Sequence, residues 1–197
     1  MAPKIDIFNG IGNTEYYEAL REAIAHLSRF KPGTEVRNFK NANKFLNFLI
    51  PKSLDNHGRI DLKKLLDVSF NYSPFRENSQ KIILLDQPTY YNGHIYRGLT
   101  GGYGPDENGR GFYRAAIALS TRGTNPDQFY ALSCHELGHI YGATKRRHKL
   151  KDDNIHCSIN LCAMNYPAYH KHTSRFRREK KDMFCPDCQE GLKKYKV

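Results

Sequence analysis

No stretch of this chain approaches the roughly 20 consecutive apolar residues of a membrane-crossing helix, which excludes a helical membrane span on sequence grounds. The opening residues Met1-Ala2-Pro3-Lys4-Ile5-Asp6 lack the basic start and apolar run of a secretory leader, and a cytoplasmic product is the default expectation. No internal repeat is evident, and 197 residues, 22.8 kDa, suffice for one substantial core with a small appended subdomain. A GxGxxG pattern is missing and no P-loop lysine follows the glycine-rich stretch, so a nucleotide site is not expected. Cysteines number five, an odd total that argues, with the missing leader, against a disulfide framework. Acidic charge is in deficit: 31 Lys plus Arg oppose 20 Asp plus Glu. Residues 145–197 alone carry 14 basic and 6 acidic residues, an excess of 8. Such a balance suits nucleic acid, an acidic substrate or an anionic surface, although a solvated face is its commoner meaning.

What the chain does contain is HExxH, in Cys134-His135-Glu136-Leu137-Gly138-His139-Ile140-Tyr141-Gly142. Imidazoles four residues apart lie one above the other on a helical face, close enough to grip one zinc ion. Glu136 projects about 100° round the helix from His135, which places a carboxylate beside the metal as base toward an activated water. That is the chemistry of a metallopeptidase. The helix has marked ends. Asn125-Pro126-Asp127-Gln128 offers an N-cap, a proline at the first helical position, a first-turn acid and a capping-box glutamine, and Gly142 can stop the helix in the left-handed conformation. Cys134 reads as a small buried side chain beside His135, since nothing near it in sequence partners a cysteine nucleophile.

Upstream, Lys4 to Phe8 reads as a strand, Glu15 to about Phe30 as a helix with an apolar stripe at Tyr17, Leu20, Ile24 and Leu27, and Thr34 to Lys40 as a short strand. Residues 43–80 read as an insertion packed on the sheet, with an apolar run before Pro51 and a brief helix after Asp61. Lys81 to Asp86 is apolar on both faces, hence a central strand. Six glycines and a proline between Gly98 and Gly111 predict a surface loop. Arg114 to Ser120 reads as a strand leading into the motif helix; resemblance to a zincin would imply that a strand at this place forms the upper edge of the cleft, an unpaired edge open to an extended peptide.

A catalytic zinc needs a third protein ligand. Lys145, three residues beyond Gly142, cannot serve while protonated; His148, His156 and the carboxylates of Asp152 and Asp153 are the candidates. His156 opens His156-Cys157-Ser158-Ile159-Asn160-Leu161-Cys162-Ala163-Met164, and Cys185 and Cys188 follow as C-x-x-C. Two short-spaced cysteine pairs suit an all-thiolate structural zinc, with disulfides as the competing explanation.

In kind and order these motifs resemble the metzincin metallopeptidases, specifically the archaemetzincin branch, whose HExxHxxGxxH runs directly into C-x4-C-x-M and later C-x-x-C. The resemblance spans roughly residues 80–190. The departure is the connection from Gly142 to His156, which holds 13 residues where that branch has two.

The resemblance implies an α+β zincin-like fold: a mixed twisted sheet, an active-site helix and a small zinc-stapled C-terminal subdomain. The expected division is 1–142, ending in the HExxH helix, and 143–197. It implies two zinc ions, one catalytic on His135, His139 and His156, and one structural on Cys157, Cys162, Cys185 and Cys188. Met164 would form the Met-turn beneath the catalytic ion, and Tyr166 would stabilise the oxyanion of the reaction. The expected activity is hydrolysis of peptide or protein substrates with Glu136 as general base. The alternative from another class is a zinc-stabilised regulatory or nucleic-acid-binding protein with an inert HExxH ion.

Overall fold

The computed structural model describes residues 4–39, 42–71, 79–103, 114–143, 156–159, 161–165, 177 and 183–194. Its elements run β1 (Lys4–Asn9), α1 (Thr14–Ser28), β2 (Glu35–Asn38), α2 (Ala42–Lys52), β3 (Ile60–Asp61), α3 (Leu62–Asn71), β4 (Gln80–Leu85), β5 (Thr89–Tyr91), β6 (His94–Tyr96), β7 (Gly98–Tyr103), β8 (Arg114–Ser120), α4 (Pro126–Ile140) and α5 (Pro186–Lys194). Contacts gather the chain into two compact units. One comprises Met1–Thr14 with Gly33–Gly123, the other Glu15–Pro32 with Thr124–Val197. In this grouping α1 falls with α4 and the C-terminal residues. Tyr16 of α1 meets Phe129 of α4 edge-on at 5.4 Å, and the Tyr130 hydroxyl lies 3.1 Å from Nδ1 of His26, so α1 and α4 belong together.

The first unit is built on a mixed five-stranded sheet in the order β2-β1-β4-β8-β7, parallel except for the antiparallel β7–β8 pair. A strand covered on both faces reads as a continuous apolar run, and β4 is buried along its whole length at the centre. The helices of the expected insertion, α2 and α3, pack on this sheet. Phe45, Leu46, Leu49, Leu62, Leu65 and Leu66 join Phe8, Ile83, Leu85, Ala116 and Ala118 in one core. Each fully buried side chain of the Leu or Phe class contributes about 1.5–3 kcal/mol.

Two expectations are corrected here. Residues 98–103 form strand β7 where the glycine content predicted a loop, because their backbone pairs with β8 from Gly98–Leu119 to Tyr103–Arg114. A Cβ on Gly101 would stand 3.0 Å from Cδ1 of Leu66, so glycine here serves close packing of α3 on the strand. Second, β8 is no open edge: β4 pairs along one side and β7 along the other. The edges of the sheet are β2 and β7. A second, three-stranded sheet, β3-β5-β6, left too short a sequence signal to be foreseen.

One charged cluster sits inside this unit. Asp6, Arg37 and Lys81 are direct cross-strand neighbours on β1, β2 and β4. Lys81 Nζ donates to Asp6 Oδ2 at 2.5 Å, Ser79 Oγ donates to the same oxygen at 2.7 Å, and Arg37 Nε donates to Oδ1 at 2.8 Å. Burial works against ionisation of Asp6, but these hydrogen bonds outweigh it and hold the carboxyl below its usual range.

In the second unit, α1 buries Ala19, Leu20, Ala23, Ile24 and Leu27, close to its expected stripe. Helix α4 is buried almost throughout, and α5 begins on Pro186 and Asp187 and ends on Lys193 and Lys194, charges that oppose the helix dipole correctly. No helix among the described residues is long and apolar enough to cross a membrane.

Candidate metal centre

The ends of α4 decide where its histidines stand. At the start, Gln128 N–H donates to Asn125 Oδ1 at 2.9 Å while Asn125 N–H donates to Gln128 Oε1 at 3.1 Å, a complete capping box. At the other end Gly142 adopts φ +77°, Gly142 N–H donates to His139 O and Ala143 N–H to Gly138 O. That pair of bonds is a Schellman stop, which turns the chain away directly after the second histidine.

His135, His139 and His156 converge as the four-residue spacing and a returning chain require. Their ligand-capable nitrogens all lie within 4.8 Å of one another. Nε2 of His139 stands 3.1 Å from Nε2 of His135, and the His156 ring lies 5.2 Å from each of the other two, centroid to centroid. Tetrahedral zinc with nitrogens at its usual bond length spaces them about 3.4 Å apart, so this donor set fits the ion. Nδ1 of His135 lies 2.7 Å from the carbonyl oxygen of Ala163. A carbonyl only accepts, so Nδ1 carries the proton and Nε2 is left as the lone-pair nitrogen. Glu136 is buried at 6 % exposure on the same helix.

The four cysteines of the two pairs also converge, their sulfurs within 4.8 Å of one another. Sγ of Cys157 lies 3.8 Å from that of Cys185, and Sγ of Cys162 lies 3.5 Å from that of Cys188. Thiolates on tetrahedral zinc stand about 3.8 Å apart by the usual bond length. Ile159 N–H donates to Cys157 Sγ at 3.4 Å and Cys185 N–H to Cys162 Sγ at 3.5 Å, polarity suited to sulfur anions. The hydrogen bond with Cys188 draws the Cys162 thiol down to about 6, while burial pushes Cys157 up to about 12. Cys188 is pushed far up by the same contact with Cys162 and by burial. Burial and the neighbouring thiols work against several bare thiolates at once. A cation would allow four thiolates to coexist there.

The remaining expectations fall into place unevenly. Met164 is fully buried with its sulfur against α4: a Cβ on Gly138 would stand 2.4 Å from Sδ. Only glycine inside HExxH admits that approach. Cys134 is fully buried, as its apolar reading requires. Tyr166, Lys145, His148, Asp152 and Asp153 lie outside the described residues.

Sequence reasoning missed the Ala163 carbonyl, because a backbone oxygen has no residue-type signature. It also missed Arg177, whose guanidinium donates to Glu22 of α1 at 2.9 Å and to Asp127 of α4 at 3.2 Å and lies over the Tyr130 ring at 5.8 Å. One arginine within a basic stretch gives no local sign of that role.

No protein-family model and no curated protein sequence matches the chain. Among solved structures, archaemetzincin from Methanopyrus kandleri superposes with a TM-score of 0.59 at 18% identity, covering 99% of this chain and 94% of that one. Metalloproteinase-II from Bacteroides fragilis gives a TM-score of 0.44 at 11% identity, over 83% of this chain and 45% of that one. The first likeness establishes a shared fold: a mixed sheet with helices and a C-terminal cysteine cluster able to hold zinc.

Proposed function

We propose that this chain is a zinc-dependent metallopeptidase in which His135, His139 and His156 hold the catalytic ion and Glu136 is the general base. The observation that carries this reading is the convergence of the three imidazoles on the helix that bears buried Glu136. The archaemetzincin fold supports it from a second direction.

Zinc in such a site supplies Lewis acidity, polarising a carbonyl and acidifying water. The chain's own residues do the rest. Ala163 O holds His135 with its proton on Nδ1, so that Nε2 is presented as a donor. Glu136 takes a proton from the water that attacks the scissile carbonyl carbon, then delivers it to the amine nitrogen as the C–N bond breaks. The products are one carboxylic acid and one amine, with the elements of water divided between them. Met164 serves as the apolar floor, and Tyr166 is the candidate donor to the developing oxyanion. Cys157, Cys162, Cys185 and Cys188 hold a second, structural zinc, making two ions per chain. The substrates are peptides or proteins.

Hydrolysis of a peptide library by the wild type and by Glu136→Gln tests the mechanism. The variant loses about 10²- to 10⁴-fold in kcat while retaining both zinc ions. Full activity in the variant overturns the assignment of Glu136. Zinc content of His156→Ala set against His148→Ala checks the third ligand, one equivalent being lost in the former alone.

A further inference from the structure

The two donor clusters are tied together through the backbone of one short loop. His156 of the histidine set is joined by a single peptide bond to Cys157 of the thiol set. Ala163, whose carbonyl receives the His135 Nδ1 proton, directly follows Cys162. The loop closes on itself, with Cys157 N–H donating to Met164 O at 2.9 Å and Cys162 N–H to Ile159 O at 3.0 Å. It is held to the second cysteine pair as well, where Ala163 N–H donates to Met183 O at 2.6 Å. Phe184, beside Cys185, packs near Gly138 within HExxH, and Gly191 on the Cys188 helix lies against the backbone of Gly142 and Ala143.

We infer that occupation of the four-cysteine site sets the affinity of the three-histidine site, with Ala163 as the positioning residue that transmits it. Two of the cysteines each neighbour a group that the histidine site depends on. Drawing the four sulfurs onto one cation fixes residues 156–164 at both ends, which places the His156 ring and aims the Ala163 carbonyl at His135. With the thiols apart, both groups lose their fixed origin. His135 is then free to exchange its proton between ring nitrogens, and the third imidazole must be ordered at the moment of binding. Loss of comparable supporting contacts around metal ligands weakens affinity about 10- to 100-fold. Linkage makes the effect reciprocal, so metal on the histidines tightens the thiol site by the same factor. This inference rests on the ligand sets proposed above but needs no peptidase activity. Absence of hydrolysis and absence of coupling are therefore separate failures.

The test is a cobalt titration followed by visible absorption, since cobalt on thiolates and cobalt on imidazoles have distinct spectra. Metal-free protein preloaded with one equivalent of cadmium, which prefers sulfur, is compared with Cys185→Ser/Cys188→Ser. The expected result is cobalt binding to the histidines about 10- to 100-fold weaker in the double variant. Equal affinity in the two proteins, with circular dichroism showing the variant folded, overturns the coupling. Should the variant fail to fold, wild-type protein carries the test through the imidazole ¹⁵N shifts of His135, read with no metal and with one equivalent of cadmium. A proton fixed on Nδ1 only when cadmium is present supports the inference, and the same tautomer distribution in both states sinks it.

Discussion

The sheet unit and the unit carrying α4 fill their interiors with different chemistry. In the sheet unit, buried positions are taken by Ile, Leu, Phe and Ala, and the charge cluster at Asp6 is closed by its own partners. The α4 unit places His135, Glu136, Cys134, Cys157, Cys162 and Cys188 among its buried residues. Apolar burial is complete as soon as the chain folds. Donor atoms crowded within 4.8 Å of one another form groups that could hold a cation, which the chain does not itself supply. The lesson is that one unit carries its stability within its own side chains, while the other, on the metal sites proposed above, would borrow part of it.

The strongest way to break that contrast is chelation. Structural zinc in small thiolate sites is worth about 10–16 kcal/mol of apparent binding free energy. Removing metal should therefore abolish amide-exchange protection around residues 157–165 and in α5 while β1, β4 and β8 keep theirs. Uniform loss of protection along the chain would show that the sheet unit depends on metal as well.

Next in size is the ion cluster of the sheet unit. Lys81→Met leaves Asp6 buried without its closest partner and should cost about 3–5 kcal/mol in denaturant unfolding. Asp6 also gives an acid limb. Its carboxyl titrates below the ordinary value in the folded state, so its stabilisation is complete above the unfolded value of 3.8 and is lost as pH falls through the lower folded value. Asp6→Asn should flatten the fall of Tm below about pH 4. An unchanged slope would assign acid sensitivity to other carboxylates.

Smaller effects belong to the α4 unit. Asn125→Ala removes the cap of α4 and should cost roughly 1 kcal/mol in stability, with metal content unchanged from the wild type. Arg177→Ala severs the tie to Glu22 and Asp127 and should cost about 0.5–1 kcal/mol, diminishing as salt is added. An effect that ignores salt would point to lost packing on Tyr130 as the cause.

Much of this was readable before any fold was known. The N-terminal cap of α4 is written in four consecutive residues, and the apolar run of β4 reads directly as a strand buried along its whole length. Local chemistry of that kind survives translation into structure. Strand β7 was hidden because glycine content signals a loop when nothing is known of the neighbour that pairs with it. The edge position expected for β8 failed for the same reason, since strand order depends on a partner chosen by the whole sheet. Arg177 was invisible because its meaning lies in Glu22, 155 residues away.

By itself the amino-acid order determined the donor types, the helical spacing of His135 and His139, and the pairing of cysteines that suits a tetrahedral ion. Tertiary structure alone decided that His156 stands beside His135 and His139 and that the Ala163 carbonyl meets Nδ1 of His135. Spacing along one helix follows from backbone geometry, which a short sequence fixes. Bringing residues 135, 156 and 163 together is a matter of long-range closure, and no local pattern carries that information.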